Sequence, residues 1–285
     1  MLETQRTPPT IISRARLSLV ECPRWHDQQL WFANWGPGEI RRQNLDGTSE
    51  VVVSAPAPPL SFDFLPDGRM VVVAAGERRL LRREVDGALV SHSELSAFPP
   101  TGWNEIVVDG RGNLYVNGGN LDPEVDGRAP GVIVLVKPDG SARQVADDLA
   151  FPNGMAVTPD NATLIVAESW RGRLTSFAIA SDGGLSGRRV WAQGGAPDGI
   201  CVDSEGACWF ADVGAKKCVR VAEGGRILEE LPLDRGAFAC VLGGPDGRTL
   251  YITAAEWFGM DRMSEMVGTG QVLAAPASAP GVGWP

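Results

Sequence analysis

The sequence predicts an all-β fold, a six-bladed β-propeller formed as one domain over residues 1–285. Three observations predict it. A phrase of paired apolar runs recurs six times, Gly- and Asp-rich turns separate the runs, and capped helical patterns are absent.

The phrase is a polar or small turn, an apolar run, a Pro-Asp-Gly-like turn and a second apolar run rich in aromatics. It reads ECPRWHDQQLWFAN from Glu21, LSFDFLPDGRMVVVAA from Leu60 and WNEIVVDGRGNLYVNG from Trp103. It returns as PNGMAVTPDNATLIVAES from Pro152, PDGICVDSEGACWFADV from Pro197 and FACVLGGPDGRTLYITAA from Phe238. The copies lie about 40–50 residues apart, the interval of propeller blades. Each reads as a hairpin, for example Ile106-Val107-Val108 against Leu114-Tyr115-Val116, and most are followed by a third run such as GVIVLVKPDG. One hairpin cannot cover both of its faces, whereas six around an axis can, and closure limits exposed edges. Pro56 to Pro59 reads as a blade connector. The stretch from Thr269 predicts a late strand and an extended tail, and nothing in the pattern says which strand completes the last blade.

Composition narrows the function. Hydrophobic residues make up 44% of the chain, ample for a core, and the net charge is −9. The densest basic run, Arg78-Arg79 with Arg82-Arg83, is balanced by Glu77 and Glu84, so a nucleic-acid partner is not expected. No stretch approaches the roughly 18 apolar residues of a membrane helix. Met1 to Ala15 is polar, with Arg6 and Arg14 and no apolar core, so the expectation is no secretory signal and a cytoplasmic protein. Five cysteines without a CxxC pair read as reduced, buried thiols, and with only two histidines a catalytic thiol lacks a base. The expected partner is a small molecule, and the sequence sets no oligomeric state.

Aligning the copies on the second run of each hairpin puts Glu21, Asn104, Asn153 and Asp198 at one register, about ten residues earlier. Blade two offers Leu60 or Ser61 there, and blade six a residue near Ala239. In a propeller the first strand of each blade is innermost, so equivalent positions converge on the axis. Two carboxylates and two carboxamides brought together are costly unless a hard cation joins them. Calcium suits such an all-oxygen set first, with manganese, magnesium and zinc as alternatives. Asn153-Gly154 and Asp198-Gly199 are also turn-forming pairs, but Glu21 and Asn104 have no following glycine.

These residues resemble the SMP-30/gluconolactonase/luciferin-regenerating-enzyme-like group of six-bladed propellers. The resemblance covers nearly the whole chain and rests on Glu-x-Pro-x-Trp at Glu21 to Trp25, Pro152-Asn153-Gly154, Pro197-Asp198-Gly199 and GGPDGRTLYIT from Gly243. It implies a divalent metal, usually calcium, on Glu21, Asn153 and Asp198, with Asn104 beside it, and hydrolysis of lactones, especially sugar lactones. Related propellers hydrolyse organophosphates. Sugar lactonases of the group often show Arg-x-Asn-Asp in the third blade, with the Arg gripping substrate hydroxyls. Here the segment is Gly102-Trp103-Asn104-Glu105. The lost guanidinium, and aromatics near this face (Trp25, Trp103, Trp170, with Trp35 and Trp257), point to a less polar lactone or ester. Trp31 and Trp209 read instead as packing between blades. The expected substrate contacts are Trp103, Glu105, Asn117, Trp25 and Trp170. Asp198 is the expected general base or, alternatively, nucleophile. Phosphotriester hydrolysis on the same metal and a non-enzymatic ligand-binding propeller are the rival functions.

Overall fold

A strand that is apolar on both faces needs cover on both, and the repeat supplies it. In the computed structural model, which describes residues 8–55, 59–99, 102–119 and 130–282, the chain forms six four-stranded antiparallel sheets. The first strands are Val20–His26, Leu60–Phe64, Gly102–Val108, Pro152–Val157, Pro197–Val202 and Gly236–Gly243. Each contacts the next and the last contacts the first, so they form a closed inner ring with the other strands radiating outward. This is the six-bladed propeller the repeat predicts.

Six hydrophobic clusters fill the wedges between neighbouring blades. Blade three shows how one strand feeds two of them. Along Leu114–Gly119, Leu114 and Val116 pack toward blade two while Tyr115 packs toward blade four, following the two-residue alternation of a strand. Trp31 and Trp209 lie in such wedges. All five cysteines are buried free thiols.

Two polar devices repeat. At the turns away from the inner-strand openings, Asp46, Asp67, Asp86, Asp139, Asp182 and Asp246 each accept the backbone N–H two residues on. Much of the acidic excess is therefore turn chemistry. At the opposite face, the last residue of a second strand anchors the connector that enters its own blade. Asn34 accepts from Ser18 N, Glu168 from Ala150 N and Asp212 from Ala196 N, at 2.9, 2.9 and 3.0 Å.

The last blade is completed from the other end of the chain. Outside its late strand Gln271–Pro276 lies Thr10–Ile11, paired Thr10 to Ala274 and Ile11 to Leu273. Ile12 N donates to Val272 O and Val272 N to Ser13 Oγ, at 2.9 and 3.0 Å, extending the clasp. Residues 56–58 of the proline-rich connector and residues 1–7 of the polar N-terminal stretch lie outside the described residues. Among the described residues no helix is long and apolar enough to cross a membrane.

Candidate metal centre

The inner strands open at one face, and their second or third residues turn toward the axis there. Glu21, Asn153 and Asp198 are second in their strands and Asn104 is third in Gly102–Val108. Pairing with the second strand slips at this place, between Glu21 and Arg24, Trp103 and Ile106, Pro152 and Met155, and Pro197 and Ile200. Such bulges break the alternation locally and re-aim side chains. Blade two, with Ser61 at the equivalent place, pairs without a slip. Blade six slips between Ala237 and Ala239 but offers the apolar Phe238. Directly after Glu21, Cys22 takes φ 51°, a left-handed conformation costly for a buried non-glycine residue. Its thiol holds it there, donating to Phe62 O and accepting from Phe62 N, both at 3.2 Å.

The Asn-Gly and Asp-Gly pairs are not turns. Gly154 and Gly199 lie inside strands and do not take positive φ. They are glycines because adjacent inner strands nearly touch. A Cβ on Gly154 would stand 2.5 Å from Asp198 O, and one on Gly199 2.2 Å from the Ala239 Cβ. Gly199→Ala is therefore expected to lower stability by about 1–3 kcal/mol, read as a lower denaturant midpoint. An unchanged midpoint would show that the inner strands part to admit a methyl group at no cost.

The four register residues meet. Asn104 Nδ2 donates to Asn153 Oδ1 at 3.3 Å and to Pro152 O at 3.4 Å. The Asn153 carboxamide also lies beside the Asp198 carboxylate and favours its charged form. Burial, then the charges of Asp198 and Glu105, push the Glu21 carboxyl well above the usual range. Asp198 is pushed up likewise by burial and by Glu105, with the Asn153 carboxamide opposing. Glu21, Asn104 and Asn153 are buried, while Asp198 is half-buried and faces the opening. Among the described residues neither Glu21 nor Asp198 has an ion pair with Arg or Lys.

That donor set fits a hard divalent cation. Two like charges held close in a dry site are unfavourable by themselves, and a cation reverses the sign. The long 3.3–3.4 Å contacts of Asn104 are weak hydrogen bonds, leaving its carboxamide little committed. Among the described residues no group of three or more His, Cys, Asp or Glu is arranged to hold a metal. Two carboxylates with two carboxamides form a different set, one that suits calcium better than zinc.

The expected substrate contacts fare unevenly. Trp170 is 37% exposed on the short turn after Thr163–Glu168, stacked on Phe151 at 4.9 Å. Its neighbour Ser169 accepts from Asn153 Nδ2 and donates to Pro197 O, which ties this turn to the centre. The other four are corrected. Trp25 is sixth of the seven residues of Val20–His26, roughly 13 Å along the strand from Glu21, and stacks on Tyr251 near the far face. Trp103 is fully buried between blades two and three, beside Phe98. Asn117 is fully buried with both ends of its carboxamide spent, Oδ1 on Glu105 N at 3.1 Å and Nδ2 on Asn153 O at 2.6 Å. It positions the backbone of Asn153 and of Glu105, the residue after Asn104. Glu105 is buried beneath the centre against Arg24.

The rim contains aromatics the repeat alignment passes over. Phe151 is paired with Trp170, and Trp257 and Phe258, 43% and 37% exposed, begin the long connector after Thr249–Ala255. Trp257 lies edge-on to Phe238 at 5.6 Å, and Met266 anchors the connector in the wedge that holds Trp35 and Phe238.

A family model described as the SMP-30/Gluconolactonase/LRE-like region matches residues 19–256. The chain belongs to this family. Its similarity to 6-deoxy-6-sulfogluconolactonase of Pseudomonas putida is 28% identity over 281 residues, covering 94% of each chain. Among solved structures, a luciferin-regenerating enzyme superposes with a TM-score of 0.81 at 18% identity, over 96% of this chain and 97% of that one. A calcium-binding regucalcin of Agrobacterium tumefaciens superposes with a TM-score of 0.78 at 21% identity, over 97% and 95%. These superpositions establish the six-bladed propeller fold.

Proposed function

We propose that this chain is a divalent-cation-dependent lactonase, with calcium the favoured ion, opening lactones or related esters less polar than a simple aldonolactone. One observation carries the reading. Glu21, Asn104, Asn153 and Asp198, from four blades, come together where, among the described residues, the two carboxylates have no ion pair with Arg or Lys. The lactonase named among the relatives supports the ring-opening chemistry, and the calcium-binding neighbour supports the choice of ion.

Glu21, Asn153 and Asp198 would hold the ion, with Asn104 beside it. A divalent cation bound there supplies Lewis-acid polarisation of a carbonyl oxygen and acidifies water. Asp198 is the ligand open to the mouth, so its carboxylate takes the proton of the attacking water. Glu21, buried, would hold the ion without taking part in proton transfer. Trp170 on Phe151, facing the centre from blade four, offers an apolar wall for the substituent beyond the ring. Gly102 has no side chain to grip hydroxyls.

The test is a panel of alkyl- and aryl-substituted lactones, aldonolactones, aryl esters and phosphotriesters, assayed with calcium and then with chelator. Substituted lactones should turn over fastest, and chelator should abolish the rate. Faster aldonolactone turnover would overturn the polarity assignment, and faster phosphotriester turnover the reaction class. A calcium-loaded protein that hydrolyses nothing would be a ligand-binding propeller. In the same panel Trp170→Ala is expected to raise KM for aryl-substituted lactones about tenfold, the worth of one aromatic contact. Unsubstituted lactones should change little.

A further inference from the structure

Beneath the centre lies a buried charge cluster contributed by three blades. Arg24 emerges from blade one, three residues past Glu21 and beyond its bulge. Its Nη2 donates to Ile106 O of blade three at 2.7 Å and stands 3.5 Å from Glu105 Oε2. Its Nε lies 3.4 Å from Asp63 Oδ1 of blade two, and Nη1 donates to Pro23 O at 3.0 Å. Asp63 is fixed in turn by Val108 N and Phe64 N, at 2.7 and 2.8 Å. Arg24, Asp63 and Glu105 are all more than nine-tenths buried. The guanidinium cannot touch a substrate, and the reaction proposed above does not use it.

Its place is nonetheless electrostatically central. Glu105 directly follows Asn104 in its strand, and Asn117 ties its backbone N–H to Asn153 O, so it stands as a third carboxylate at the edge of the centre. Arg24 is the cation facing Glu105, and it also ties the backbone one residue beyond Glu105. With Glu21, Asp198, Glu105 and Asp63 ionised, these four carboxylates and Arg24 sum to −3, and without Arg24 to −4, so the centre then faces one more unit of uncompensated negative charge.

We propose that Arg24 is a positioning residue that sets the charge of the metal centre, neutralising Glu105 and holding it back so that the centre matches divalent ions. The proposal rests on the cation reading above. Attraction scales with ion charge, so removing a nearby positive charge strengthens binding of a trivalent ion more than that of a divalent one. The full chain, stripped with chelator, is titrated calorimetrically with calcium chloride and with lanthanum chloride.

Arg24→Met is expected to bind calcium about tenfold and lanthanum about thirtyfold more tightly, raising the lanthanum-to-calcium affinity ratio about threefold. Arg24→Lys keeps the charge and should leave that ratio at the parent value. Glu105→Gln should shift calcium affinity the opposite way, about tenfold weaker, and Arg24→Met with Glu105→Gln should return it close to the parent value. If Arg24→Met does not fold, the Arg24→Lys and Glu105→Gln proteins carry the test. A fixed lanthanum-to-calcium ratio in folded Arg24→Met, or unchanged calcium affinity in Glu105→Gln, overturns the proposal. A parent protein that binds neither ion overturns the cation reading itself, a distinct result.

Discussion

Asp198→Ala is expected to lose the bound cation and to lower lactone kcat/KM by about a thousandfold, within the range for removing a positioned base. Elemental analysis of purified protein checks the first effect and initial rates at saturating calcium the second. The same substitution should make the chelated protein more stable, because Glu21 is then freed of the like charge that opposes its ionisation. A variant that is inactive yet melts higher without calcium separates a ligand from a residue that merely props up the fold. Full activity in metal-free Asp198→Ala protein would end the hydrolase proposal. A single turnover in isotopically labelled water separates the two roles of Asp198. Label should enter the product directly if Asp198 is a base, and the protein first if it is a nucleophile.

The chelated protein should also lose stability as pH rises, against the habit of most folded proteins. Glu21 and Asp198 have raised folded-state values, so the native state holds protons that the unfolded chain has released. Their stabilising protonation is complete below the unfolded carboxylate range of about 4 and is lost as pH climbs through the folded values. Melting temperature without calcium should therefore fall by several degrees from pH 5 to pH 8. With calcium the centre binds the ionised forms, so the ion's stabilising effect should grow over the same interval. A chelated protein whose melting temperature rises from pH 5 to pH 8 would mean that the two carboxylates are not held as close as described.

The propeller was legible because its signal repeats. Six copies of one hairpin phrase overdetermine a ring, and the inner position of each first run follows from it. The four oxygen donors were legible for the same reason, since a shared register projects to a shared point. Features that break the repeat were hidden. Trp25 belongs to the Glu21 motif yet lies near the other face, because four residues of strand carry it there. Asn117 is a polar residue two positions before the end of its second strand, but the slip opposite Asn104 and Glu105 turns its carboxamide inward. Gly154 and Gly199 imitate turn residues because contact between blades and tight turning both select for a missing Cβ. Arg24 had a signal that went unused, a charge three residues past Glu21 in a strand bound for the interior.

The clasp of the last blade has a thermodynamic corollary. Thr10–Ile11 reaches its partner only after the whole ring has been laid down, so blade six is where the circle is sealed. Glu21 and Asp198 belong to the blades on either side of that seam. An ion bridging them straddles the seam, and linkage makes its binding energy a resistance to opening there. Calcium should therefore slow amide exchange in Gln271–Pro276 and Thr10–Ile11, although no residue of either strand touches the centre.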